Sequence, residues 1–478
     1  MDDEHAAAEL TRRRFLAWSA ASAAAAVFAA CDFSDRSPAP STALASGTAA
    51  PNASPTATAS PTGTAVASPA PTVLPSPTTS ASGVRTLYRD GALADARSGR
   101  LELGVSILVE DGVIRWIRPR DGEEDPGPRQ GLERVDASGA TFVPGMVDAH
   151  SHLTLPGGAH WLDRADDDPA ALLEVAERNG RLLTSAGVRW ARDVGAPFVD
   201  DPSVGRRQAL SLGIRDRWRH RPDFPYIRAA GTWLTRRGSL PGSLHRREAG
   251  TADELLAIGS EQLDDGADLL KLYLDGPDAS TSPWSAAEIR RLVDLAHNRG
   301  ATVTAHSGNL AGARAGVAGG VDCIEHGYVL DRAVCTEMAE RGTFLVSTLA
   351  VHRSWQTFHQ TTASPPISTS FIRARLDLAR ESVRLARAAG VRITAGTDFG
   401  GGSLRANQLA WEVQQLVAAG LEPWEALAAA TWRGGELLGE PGAGVIREGG
   451  PADFFLVHGD PLSEPAALWR VWRVAWAA

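Results

Sequence analysis

The sequence predicts an α/β fold: a (β/α)8 TIM barrel with a small discontinuous β-sandwich formed by the two ends of the folded chain. Three observations carry this prediction. Eight short apolar, β-branched runs occupy 142–152, 188–194, 226–234, 269–274, 301–306, 321–326, 343–348 and 392–398, most of them ending in polar or glycine residues. Helix-period segments separate several of them, as at 285–298 and 371–389, and Ser285 with Glu288 makes a capping-box start for the first. Both flanks of this region are β-rich. Eight β-then-α units over about 260 residues match the size of such a barrel. The alternative, an open doubly wound sheet, lacks a Gly-x-Gly-x-x-Gly after its first strand.

Taken in chain order, residues 1–30 read as a signal peptide of the twin-arginine type. Arg12 and Arg13, followed by Phe15 and Leu16, resemble that export motif, and an alanine-rich apolar stretch comes next. Cys31 falls where a bacterial lipoprotein carries its lipidated cysteine; the other reading is a small residue in an ordinary signal peptide. From 36 to 80, Pro, Ser, Thr and Ala make up 37 of 45 residues, with one charge and no aromatic ring. Residues 31–83 are therefore expected to be an extended linker, with too little apolar surface to offset the entropy of folding. Together these features predict a cell-envelope lipoprotein or extracytoplasmic protein that meets a membrane only through its N-terminal lipid anchor.

Residues 84–142 alternate β-rich runs with Asp-Gly turns, as hairpins do, and form the first part of the sandwich. The barrel is expected over 143–440. The second part of the sandwich is expected over 441–478, where Val445, Ile446 and residues 452–457 return to a β pattern, while 471–478 stop short of a final strand. The formal net charge of −9 argues against a nucleic-acid partner. Three cysteines, Cys31, Cys323 and Cys335, make no disulfide scaffold. No apolar run reaches the roughly 18 to 20 residues that span a bilayer. The sequence leaves open whether copies of the chain associate into a homo-oligomer.

Barrel chemistry sits at the C-terminal ends of the strands. Those ends carry His150 and His152 in the first run, Lys271 in the fourth, His306 in the fifth, His326 in the sixth and Asp398 in the eighth. Residues i and i+2 of a strand point to one side, so His150 and His152 can face the barrel axis together. Imidazole and carboxylate are the donors a zinc-like ion takes outside thiolate sites. A lone His-x-His pair is more often a polar strand edge; with two further strand-end histidines and an aspartate the set reads as a metal site.

Lys271 is informative because 47 of the 48 basic residues are arginine and it is the single lysine. An ammonium has no lone pair and repels a cation. A neutral lysine amine can react with carbon dioxide to give an anionic carbamate, able to bridge two ions, which a permanently charged arginine cannot do. The competing reading is one lysine surviving by chance.

These residues, together with 144–152, Ala395-Gly396-Thr397-Asp398 and the tail 444–454, resemble the amidohydrolase superfamily from about residue 84 onward. Residues 324–331 look most like its imidazolonepropionase-like and Xaa-Pro dipeptidase-like branch, and Lys271 separates the chain from mononuclear members that lack the bridging lysine. The resemblance implies a binuclear centre of two divalent metal ions, zinc foremost. His150 and His152 would hold one ion, His306 and His326 the other, carboxylated Lys271 would bridge them, and Asp398 would ligate the first. Asp398 would also be the catalytic residue, taking a proton from the attacking water and returning it to the leaving amine.

The function expected is hydrolysis of an amide bond in a small-molecule substrate, a dipeptide or an N-acyl amino acid. Tyr328 and His352 follow strand ends and are candidate substrate contacts, each with packing as the equal alternative. Arg236 and Arg237 are candidates for a substrate carboxylate, against the commoner reading of a solvated loop. The rival functions are a lactone or ester hydrolase on the same centre and a catalytically dead surface binding lipoprotein.

Overall fold

The computed structural model describes residues 85–123, 131–158, 161–240, 244–356 and 368–477. The expected signal peptide, Cys31 and the whole of the linker lie outside the described residues. Among the described residues no helix is long and apolar enough to cross a membrane.

Five strands open the described chain: β1 (Arg85–Asp95), β2 (Arg100–Glu110), β3 (Val113–Pro119), β4 (Leu132–Asp136) and β5 (Ala140–Pro144). β1 pairs with β4 through its first half and with β5 through its second, with β2 antiparallel along its length. The core of this sheet is an aromatic cluster in which Tyr88, Phe142 and Phe454 meet edge to face, with ring centroids 5.2 to 6.1 Å apart. Each such pair adds about 0.5–1.5 kcal/mol beyond the area it buries.

The run 142–152 is not one strand. It splits at Gly145, with β5 in the terminal sheet and β6 (Met146–Ser151) as the first barrel strand. Only glycine fits this crossing, because a Cβ would lie 2.7 Å from the Arg189 Cβ and 3.2 Å from the Asp453 carbonyl.

β7 (Val188–Asp193) follows, then a small hairpin of β8 (Phe198–Asp201) and β9 (Arg206–Ala209) that the apolar pattern does not announce. Its turn is held by Asp201, which accepts from the Ser203 N–H and hydroxyl. β10 (Tyr226–Arg236) carries a short flanking strand, β11 (Arg247–Ala249). The barrel continues through β12 (Leu269–Tyr273), β13 (Thr302–Ser307), β14 (Cys323–His326), β15 (Phe344–Val346) and β16 (Ile393–Thr394). Neighbours pair in parallel from β6, β7 and β10 to β16, so all eight expected runs supply a barrel strand.

The helices between them start where side chains can cap them. Ser285 and Glu288 form the expected capping box ahead of the helix Ala286–His297, and Ser368 caps the helix Thr369–Ala389.

The last strand returns to the first through backbone bonds. Ala149 donates to the Ala395 carbonyl at 2.9 Å, and Asp398 to the His150 carbonyl at 2.8 Å. This seam is tight because position 396 is glycine: a Cβ there would sit 2.5 Å from Val346 Cγ1 and 2.7 Å from His150 Cβ. Asp148 stitches the seam further, accepting from the Thr397 hydroxyl at 2.6 Å and its N–H at 3.0 Å.

β17 (Phe454–His458) pairs antiparallel with β5, and β18 (Val471–Ala475) with β17. Both ends of the described chain thus share one sheet. Residues 471–478, expected to stop short of the usual final strand, supply Val471–Ala475, which pairs along Phe454–Val457. At the other mouth of the barrel, where the strands begin, lies a cavity of about 680 Å³ edged by Arg228, Arg299, Arg341, Arg392 and Asp268.

Candidate active site

All six strand-end residues of the sequence reading converge on the mouth where the strands end. His150 Nε2 and His152 Nε2 each lie 3.4 Å from Asp398 Oδ1. The His150 and His326 rings are 4.8 Å apart, and those of His306 and His326 4.5 Å. One donor atom from each of His150, His326 and Asp398 lies within 4.8 Å of the others. Lys271 is buried in β12, and its Nζ has no hydrogen-bond partner among the described residues.

The backbone re-aims two of these groups. His326 has φ 70° and Asp398 φ 57°, left-handed values that cost non-glycine residues energy and gather at functional sites. Strand alternation would send neighbours 325 and 326 to opposite faces. Because the chain turns at His326, Glu325 and His326 both face the barrel interior.

Each imidazole has one nitrogen fixed from behind. His150 Nδ1 donates to Glu325 at 2.6 Å, and His152 Nδ1 to the Gly195 carbonyl at 2.9 Å. His306 Nε2 donates to Asp275 at 3.0 Å while its ring stacks on Tyr273 at 3.8 Å. His326 Nδ1 meets the hydroxyls of Thr348 at 2.8 Å and Tyr328 at 3.0 Å. The second nitrogens of His150 and His152 face Asp398 Oδ1. Outer partners of this kind set tautomer and orientation in metal sites.

Burial and mutual charge set the protonation states. Burial lowers His306, against Asp275, and burial together with His306 and His150 lowers His326 further, so both rings are neutral near pH 7. Burial raises Asp398, but His150, His152 and His326 outweigh it and hold the carboxyl well below its usual range. Glu325 is likewise held low by Arg192, His150 and Lys271 against its burial. Burial pushes the Lys271 ammonium down to about 8, with Glu325 and Asp398 opposing. A substantial fraction of neutral amine is therefore available in mildly basic solution.

This donor set fits a metal centre. A tetrahedral ion with ligand distances of 2.0–2.1 Å separates its donors by about 3.3 Å. The two 3.4 Å spacings about Asp398 Oδ1 match that edge. The Lys271 nitrogen, buried without a hydrogen-bond partner among the described residues, is a costly arrangement that a carbamate held by bound cations would relieve.

The expected substrate contacts divide. Tyr328 is buried with its hydroxyl on His326, and its ring lies 4.1 Å from that of His352. His352 is buried and accepts from Arg375 Nε at 3.1 Å. Arg236 instead pairs with Glu288 over the Trp284 ring, and Arg237 pairs with Glu254. Neither is brought to the six residues, because each already has its own carboxylate. The cation beside the site is Arg375, whose guanidinium lies 4.4 Å from the Tyr328 ring centroid and has no carboxylate partner within 4 Å among the described residues.

Residues the sequence reading passed over form the layer behind the imidazoles: Glu325, Asp275, Arg192 and Thr348. Glu325 alone carried a signal, as a carboxylate next to a strand-end histidine. Cys323 and Cys335 are buried free thiols, and burial pushes Cys323 up to about 12.

A parallel eight-stranded barrel that gathers imidazoles, a lysine and a carboxylate where its strands end defines the class of barrel hydrolases. The amidohydrolase family pattern matches residues 141–474, and the chain belongs to that family. It is a hydrolase of carbon–nitrogen bonds. It is 30% identical over 379 residues to an uncharacterized protein of Mycobacterium tuberculosis, covering 78% of this chain and 93% of that one. An imidazolonepropionase of Symbiobacterium thermophilum is 26% identical over 406 residues, 77% of this chain and 83% of its own. The crystal structure of a Xaa-Pro dipeptidase with bound methionine shares the fold, with a TM-score of 0.70 at 22% identity, covering 81% of this chain and 97% of that one.

Proposed function

We propose that this chain is an exported, metal-dependent amidohydrolase that cleaves the amide bond of a small carboxylate-bearing substrate, a dipeptide or an N-acyl amino acid. The observation that carries the proposal is the set of four imidazoles, each tied from behind through one nitrogen and grouped around Asp398 and an unpartnered Lys271. His150, His152 and Asp398 would hold one divalent ion, zinc by donor type, and His306 and His326 a second, with the carbamate of Lys271 between them. When bound, the ions would lower the pKa of water and polarise the substrate carbonyl.

The protein's own residues do the rest. Asp398, kept ionised by its histidine neighbours, accepts the proton of the attacking water and delivers it to the nitrogen of the leaving amine. Glu325 and the Gly195 carbonyl keep the Nδ1 protons of His150 and His152 in place, so Nε2 of each ring stays a lone-pair donor. Burial raises the Tyr328 phenol, which therefore remains a neutral hydrogen-bond donor. Arg375, oriented by His352 and lying against Tyr328, offers its outer nitrogens to a substrate carboxylate. The export reading rests on the twin-arginine pattern at Arg12 and Arg13.

The test joins elemental analysis of the purified protein to a screen of dipeptides, N-acyl amino acids and lactones. Two ions per chain and cleavage of carboxylate-bearing amides are expected. Full activity after chelation, or turnover of lactones alone, overturns the proposal. Lys271→Arg should retain the fold and lose one of the two ions.

A further inference from the structure

The helix Leu349–Trp355 begins just after β15, and its entrance is unusual. Thr348, the residue before it, has φ 48° and ψ 43°, a left-handed conformation that a β-branched residue adopts only when its surroundings impose it. Its own side chain does not cap the helix. Its hydroxyl is instead turned to His326 Nδ1, 2.8 Å away.

What imposes the conformation comes from a distant part of the chain. Glu412, in the first turn of the helix Leu409–Ala418, reaches across with both carboxylate oxygens. Oε1 accepts from the Ser347 hydroxyl at 2.9 Å and the Leu349 N–H at 3.0 Å, and Oε2 from the Ala350 N–H at 2.6 Å. Residues on both sides of Thr348 are thus gripped by one side chain. Glu412 is fully buried and has no ion-pair partner among the described residues. An uncompensated buried carboxylate is costly, and a neutral cap would avoid that cost. The three donors explain the choice, since an amide side chain would turn its own NH2 toward one of them.

We infer that Glu412 is a positioning residue for the hydrolytic centre, acting through Thr348 to fix the ring of His326. The inference rests on the reading of His326 as a metal ligand. His352, whose Nε2 orients Arg375, stands on the same capped helix, so the grip extends to the candidate carboxylate subsite.

The test uses the full chain and two readouts. Stepwise zinc affinities are measured by competition with a chromophoric chelator in wild type, Glu412→Gln, Thr348→Val, Thr348→Ser and the double variant Glu412→Gln/Thr348→Val. Glu412→Gln is expected to weaken one of the two ions by about ten- to a hundredfold and leave the other unchanged. Thr348→Val should give the same loss, the double variant no further loss, and Thr348→Ser should stay near wild type because it keeps the hydroxyl. In metal-free protein, the His326 Nδ1 proton should exchange slowly by NMR in wild type and Thr348→Ser, and rapidly in Glu412→Gln and Thr348→Val. Unchanged affinities with a slow proton in Glu412→Gln, or losses that add in the double variant, overturn the inference. If Glu412→Gln does not fold, Ser347→Ala, which removes one of the donors that Glu412 holds, takes its place, and unchanged affinities with a slow ring proton in that variant overturn the inference. Wild type that binds no ion defeats the metal reading alone, and the ring proton then decides whether Glu412 positions His326.

Discussion

The two mouths of the barrel are made by the same eight strands, and both are crowded with charge. At the rear mouth most of the named arginines are ion-paired close by on the surface, while Arg392 meets the Gly342 carbonyl and the Phe344 ring. Arg228 pairs with Asp268, Arg299 with Asp264 and Arg341 with Glu337. The front mouth is the reverse, with a buried lysine that has no hydrogen-bond partner among the described residues, an ionised aspartate, and three left-handed backbone residues, His326, Thr348 and Asp398. Between them stands the buried pair Arg192–Glu325. Arg192 lines the rear cavity, while Glu325 holds His150. The difference teaches where chemistry is stored. Paired, half-exposed charges hold a surface together at little gain, while unpaired buried ones persist only where another demand keeps them.

The contrast is broken most severely at Asp398. Asp398→Asn should reduce kcat by about a hundred- to ten-thousandfold, as expected for loss of a general base, with the far-ultraviolet spectrum unchanged. Activity within tenfold of wild type would show that the front mouth does not depend on this carboxylate.

A smaller effect concerns stability in the metal-free protein. The ordinary lysine value is 10.5 and that of folded Lys271 about 8, so between these pH values the unfolded chain binds more protons. Stability should therefore rise with pH from about 8 to 10.5, by up to about 3 kcal/mol, and the penalty is fully present below pH 8. Lys271→Met should be the more stable protein at pH 7 and lose that slope in denaturant titrations. An unchanged slope would show that the amine is compensated in the fold.

The smallest effect belongs to the rear. Arg228→Gln should cost less than about 1 kcal/mol and leave turnover unaltered, because a partly exposed pair contributes little. A large loss of turnover would erase the distinction between the mouths.

Much of this was legible because it is local. The eight runs mark the barrel, with His150, His152, His306 and His326 at or next to strand ends, Lys271 inside β12 and Asp398 in the loop after β16. What escaped depends on contacts between remote segments. Asp275 meets His306 across 31 positions, and Thr348 meets His326 across 22. Arg375 comes to Tyr328 and His352 from a remote segment too, while Arg236 and Arg237, which suit a carboxylate by type, pair with Glu288 and Glu254. Strand alternation also misleads at 325–326, because the positive φ at His326 cannot be read from an Ile-Glu-His-Gly segment. The passage from terminal sheet to barrel inside one run was hidden since β5 and β6 are both fully buried, and the Pro144-Gly145 pair marks the boundary.

The partnership of β5 with β17 sets a timetable for synthesis. Thr141, on the strand that leads directly into His150, bonds the Gly459 carbonyl, 318 positions later. At 5–20 residues per second, a growing chain presents its first pair of imidazoles roughly 15 to 60 s before the strand that braces them exists.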